Sequence, residues 1–90
     1  SGMSNAQTPK ADSLIHKSKT IEQDSNYVKV LNQIAEELSD KDADQSLDFA
    51  IKAQLQAIKI KDIPGLGRAL NNIGWANYRK GDYSKGFDYA

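Results

Sequence analysis

Few residues in this chain are of a type that carries covalent or metal chemistry, and their spacing decides how far each can go. His16 is the only histidine and stands beside Lys17 and Lys19. Catalysis and metal binding need partners at ligand spacing, and none lies near it in sequence, so it reads as an exposed surface histidine. The carboxylates Glu36-Glu37 and Asp40, Asp42 and Asp44 are paired as acid–base work requires. They fall in polar stretches with no apolar pocket to shift a pKa, and read as solvated faces and helix caps. Gly65-Leu66-Gly67-Arg68 hints at a phosphate loop, but it lacks the next glycine and the preceding strand; a helix-to-helix connection accounts for it. Cysteine is absent, which removes disulfides, thiolate nucleophiles and thiolate-bound zinc. No cofactor site, metal site or enzymatic activity is expected.

The 90 residues make one small domain with room for a limited core. Twelve basic and twelve acidic residues cancel, whereas a nucleic-acid or anionic-membrane surface wants a basic excess. There is no transmembrane run, so no direct membrane contact is expected of this segment. Leu, Ile, Ala, Lys, Gln, Asp and Asn dominate and β-branched clusters are few, which makes the class all-α.

Helical spacing then places the elements. Residues 1–6, SGMSNA, have the composition of a leftover from tag removal and are set aside. Thr8-Pro9 opens an amphipathic helix within residues 7–24, Thr8 as cap and Pro9 at the first helical position, with Ala11, Leu14, Ile15, Ser18 and Ile21 on one face. Asp24-Ser25-Asn26 supplies a turn and a cap for a helix with Tyr27, Val30, Leu31, Ile34, Ala35 and Leu38 inward. After Asp40 to Asp44 comes a helix with two apolar stripes, Leu47-Ile51-Leu55-Ile58 and Phe49/Ala50-Ala53-Ala57-Ile60, as expected of a helix covered on two sides. A further helix follows from Leu66, breaks at Gly81-Asp82 and restarts at Tyr83, forming an αα-hairpin. Helices are thus predicted near 9–22, 27–39, 44–61, 65–80 and 83–90, with no strand. Gly74 in mid-helix costs about 1 kcal/mol relative to Ala, so a close helix contact is expected there.

The chain also repeats itself. Val30 to Ala35 reads against Ala69 to Gly74 at an offset of 39, and Phe49-Ala50 against Tyr89-Ala90 at an offset of 40. With Leu70, Ile73, Gly74 and Tyr78 before the Gly81-Asp82-Tyr83 turn and Gly86, Phe87 and Ala90 after it, the second copy resembles a tetratricopeptide (TPR) repeat, whose usual period is about 34. Ala35 replaces the inner glycine in the first copy, Leu38 and Asn77 stand where an aromatic is usual, and no proline closes the first copy near Ile60. The resemblance implies a short right-handed α-solenoid fragment of antiparallel hairpins, with repeat one over 25–62 and an incomplete repeat two over 63–90. The leader ADSLIHKSKTIEQDSNYVKVLNQIAEEL with the later KIKDIPGLGRALNNIG further resembles the N-terminal sensor regions of Bacteroidetes sensor histidine kinases and related regulators.

In the TPR class the first helix of each hairpin lines a concave groove. Carried onto this sequence, the groove positions are Asn32, Glu36, Ser39 and Asp40 in the first copy and Asn71, Trp75, Tyr78 and Arg79 in the second. The implied function is non-catalytic binding of a protein or peptide, within the sensor region of a bacterial signal-transduction protein. A ligand-sensing periplasmic domain of a two-component histidine kinase and a structural spacer are the alternatives. The groove positions offer only Arg79 as a base, too little for a basic clamp on a peptide C-terminus. The location is the periplasmic side of the inner membrane if Gln7 follows a cleaved signal peptide, and otherwise the cytoplasm. An unfinished last hairpin leaves Leu70, Ile73, Phe87 and Tyr89 partly uncovered, and a homodimer through the C-terminal end is expected.

Overall fold

The computed structural model describes residues 8–84. They form four α-helices, α1 (Pro9–Ser18), α2 (Ser25–Leu38), α3 (Ala43–Ile60) and α4 (Ile63–Ser84), with no strand among the described residues. Helix α3 packs against both α2 and α4, α4 also touches α2, and α1 lies on α2. No described helix is long and apolar enough to cross a membrane.

Each helix start has a local cause. The Thr8 hydroxyl accepts from the Ala11 amide at 2.9 Å ahead of Pro9. Asp24 accepts from the amides of Asn26 and Tyr27, and Asp42 from that of Gln45. Such caps satisfy amides that the helix itself leaves without partners, each worth about 1 kcal/mol. At the end of α3, Lys61 adopts the left-handed conformation (φ 61°, ψ 39°), and the Asp62 amide reaches back to the Ala57 carbonyl at 2.8 Å. This closure usually uses glycine, because a side chain there costs roughly 1–2 kcal/mol. Asp62 then caps α4, its side chain accepting from the Gly65 amide at 3.0 Å.

Helix α1 stops at Ser18 rather than running to residue 22. The Ser18 hydroxyl donates to the Ile15 carbonyl and the Thr20 hydroxyl to that of Lys17, bonds that compete with helix propagation. Ile21, assigned to the helix by its spacing, reaches the core from the connecting turn instead.

The core is centred on α2, where Val28, Val30, Leu31, Ile34 and Leu38 are fully buried, each large side chain contributing about 1.5–3 kcal/mol relative to exposure. Facing helices contribute small residues, Ala50, Ala53 and Ala57 from α3 and Ala69 and Ala76 from α4, so the backbones approach closely. The buried Ser46 hydroxyl donates to the Ala35 carbonyl at 2.7 Å and ties α3 to α2. Only one of the two stripes expected to be covered on α3 is buried; Ile51, Leu55 and Ile58 of the other are exposed.

Two expectations for α4 are corrected. The helix passes through Gly81-Asp82 without a break and continues to Ser84, so the predicted turn does not form there. Glycine weakens a helix without forbidding it. The last turns are also fastened in place, Arg79 pairing with Asp40 in the α2–α3 connection and Lys80 with Asp44 in the first turn of α3 at 2.9 Å. The start of the predicted fifth helix, Tyr83-Ser84, therefore belongs to α4, and residues 85–90 lie outside the described residues. The second correction concerns the close contact. A Cβ at Gly74 would meet nothing within 4 Å, because the α4 core face is Ala69, Asn72 and Ala76 and Gly74 points away from it. The tight glycine is Gly65, where a Cβ would lie 2.6 Å from Val28 Cγ1 and within 3 Å of the Asp62 side chain.

Gly65→Ala is therefore expected to destabilise the fold by about 1–3 kcal/mol through overpacking and loss of the Asp62 cap. Gly74→Ala is expected to stabilise it by up to about 1 kcal/mol through helix propensity. Urea midpoints that move in the same direction for both variants would contradict this assignment.

Candidate functional site

The two faces of α4 do different work. Its inner face meets α2 through a polar ladder. Asn32, fully buried, donates from Nδ2 to the Gly65 carbonyl at 3.2 Å and accepts at Oδ1 from Asn72 Nδ2 at 3.0 Å. Asn72 also donates to Glu36 Oε2 at 3.0 Å, and Arg68 grips both Glu36 oxygens, at 2.6 and 2.7 Å. A two-pronged guanidinium–carboxylate bond is directional as well as charged, so it fixes the sliding and rotation of one helix on the other. The Arg68 hydrogen bond holds the Glu36 carboxyl below its usual 4.5, against an opposing push from partial burial and with help from Asn72. The same bond raises Arg68.

The outer face carries Leu70, Asn71, Gly74, Trp75 and Tyr78, which line an open cleft of about 420 Å³. Gly74 supplies the depression because nothing occupies the space where its side chain would be. Trp75 and Tyr78 are 54% and 60% exposed, with ring centroids 5.8 Å apart and planes at 89°. This is the edge-to-face geometry that ring quadrupoles favour, so the pair holds itself in place without burial. A second cleft of about 410 Å³ shares Asn71 and Trp75 with the first and is closed on the α2 side by Glu36, Ser39 and Asp40, and by Asn72 and Arg79. Arg79 donates to Asp40, and its Nε is buried without a partner.

Of the residues assigned to a groove from sequence, Asn71, Trp75, Tyr78 and Arg79 do line this outer surface, with Glu36 and Asp40 at its edge. Asn32 does not. It faces α4, where a buried amide must satisfy its donors and acceptor within the protein. Glu36, read as a solvated carboxylate, is bound by Arg68 and Asn72. Arg68 and Asn72 are the residues that sequence reasoning missed; Asn72 stands 40 positions after its partner Asn32, close to the repeat offset, and that spacing was the available signal. Gly65 to Arg68 form the first turns of α4, as a helix connection requires. Among the described residues no group of three His, Cys, Asp or Glu side chains is placed to hold a metal.

No protein-family model matches the sequence, and comparisons with curated proteins and with solved structures find no match.

Because the Glu36 carboxyl sits lower in the fold than its usual 4.5, its contribution is present above that pH and is lost as the pH falls through the folded value. The pair is more than a third exposed, so the effect is expected to stay below about 1 kcal/mol. Glu36→Gln should show a shallower loss of stability than wild type between neutral pH and about pH 3 in urea unfolding. Parallel curves would show that Glu36 is not held by Arg68 in solution.

Proposed function

We propose that this chain is a non-catalytic module that binds protein or peptide segments along the outer face of α4, built as a TPR-like repeat fragment from the sensor region of a bacterial signal-transduction protein. The observation that carries the binding reading is the exposed Trp75–Tyr78 pair beside the Gly74 depression. Large aromatic side chains lose little entropy when they bind and tend to dominate interface energy. A spacer would have its groove positions packed, whereas Leu70, Asn71, Trp75 and Tyr78 are open. The α2–α3 hairpin, with α4 laid against both at the repeat spacing, supports the TPR-like reading. The uncovered stripe Ile51, Leu55 and Ile58 favours a second copy as a further partner.

Panning a displayed random peptide library against the chain tests the binding reading. Enriched peptides are expected to bind the Trp75→Ala/Tyr78→Ala double variant at least about tenfold more weakly than wild type. Both side chains are more than half exposed, so the variant should fold normally by circular dichroism. Peptides that bind both proteins alike would place the binding surface elsewhere. Light scattering tests self-association: a mass of about twice 9.9 kDa that drops to 9.9 kDa in Leu55→Glu is expected. A wild-type mass of 9.9 kDa at every concentration would remove the second copy as a partner.

A further inference from the structure

We infer that the trench between α1 and α3 binds a hydrophobic carboxylate, an apolar body whose anionic head sits at Lys19 and Lys52. The trench shares no lining residue with the two clefts on α4, so this inference goes beyond the peptide-binding reading and stands apart from it. Helices α1 and α3 both pack on α2 and do not meet each other, which leaves a gap of about 540 Å³ between them. That volume suits a small ligand, whose sites span about 300–1,000 Å³. Tyr27 and the fully buried Leu31 form the floor, with Ile15 and Ile21 on one side and Phe49 on the other, all packed on the core. An apolar body laid there covers five large side chains.

The polar groups of the trench are sorted by end. Both helices start beside the C-terminal end of α2, since Thr8 donates to Glu37 and α3 begins at Ala43, and they run the same way. On each wall a step of seven residues ends at a lysine, Asp12 to Lys19 and Gln45 to Lys52, with Ile15 and Phe49 between. At the helical rise the two ends lie about 10 Å apart. Neither lysine has a carboxylate partner among the described residues, and the neighbouring Glu22 and Asp48 do not line the trench. The Lys52 ammonium is held at the wall, 5.6 Å from the Phe49 ring centroid, a contact that leaves its charge unneutralised. The hydroxyl of Tyr27, near the start of α2 and so at the same end, also has no partner among the described residues. One turn beyond Lys52, Gln56 donates to the Gln23 carbonyl and closes the trench. Two ammonium groups thus stand at the closed end and one carboxylate, Asp12, at the far end. A carboxylate head is drawn to the first and kept from the second, whereas an ammonium head would have Asp12 alone and would lay its tail over both lysines.

The test is an NMR titration of the isotope-labelled chain with octanoate, octylammonium and acetate. Octanoate is expected to shift the signals of Ile15, Ile21, Tyr27 and Phe49 and to bind about tenfold more tightly than octylammonium. That preference should shrink to within about twofold in the Lys19→Gln/Lys52→Gln double variant, whose exposed positions leave the fold intact by circular dichroism. Acetate should shift none of these signals, because it lacks the apolar body. Octylammonium bound as tightly as octanoate, or a preference unchanged in the double variant, would overturn the anionic head. Acetate bound as tightly as octanoate would overturn the apolar body. The absence of shifts at these four residues with octanoate, or shifts there that follow protein concentration alone and so assign the trench to a second copy, would overturn the site.

Discussion

The approach of α4 to α2 at Gly65 is the constraint on which the other contacts depend. Only a residue without a side chain fits beside Val28 and under the Asp62 cap, and the carbonyl exposed by that approach is the one Asn32 bonds. Once Gly65 is seated, Asn72 meets Asn32 and Arg68 meets Glu36 further along the same two helices. The apolar part of the contact is permissive by comparison. Alanines tolerate sliding, whereas a buried amide and a two-pronged ion pair are satisfied in a single register.

This division between glue and register explains why the outer face of α4 is available. The inner face uses short side chains, Ala69, Asn72 and Ala76, and anchors itself with Arg68 and Arg79 reaching sideways to α2 and its connection. Among the residues of α4 whose side chains are described, 63–81, the large apolar ones that turn inward are the half-buried Leu66 and Ile73. Trp75 and Tyr78 are left to brace each other, and a rigid helix carries them as a fixed surface.

Periodicity made much of this legible in the sequence. The inward positions of α2 and the caps at Thr8, Asp24 and Asp42 follow from helical spacing and short polar side chains, and the structure has them there. The outward positions of Trp75 and Tyr78 on α4 came instead from the TPR resemblance, and both side chains are exposed. What was not legible depended on distance across the fold. A glycine in mid-helix signals missing bulk without saying whether a neighbour uses the space, so Gly74 drew the expectation that Gly65 fulfils. Gly81 invited a turn because local sequence does not contain the ion pairs that hold the last turns of α4. Asn32 looks like a surface residue by type, and only the partners brought by α4 make it an interior one; Glu36 stays at the surface, held there by Arg68 and Asn72.

The polar rungs between α2 and α4 join residues 32 to 40 positions apart, with all of α3 in between. The length of α3 therefore sets a phase. Each residue of a helix advances its direction by about 100°, so adding or removing one residue within α3 would turn α4 by more than a quarter of a revolution relative to α2. Every rung would disengage together, and Trp75 would swing toward the direction now held by Ala76 for one change and by Gly74 for the other. The chain thus tolerates changes of residue type along the outside of α3 far more readily than a change in its count, and the helix acts as a fixed-length spacer whose unit is the single residue.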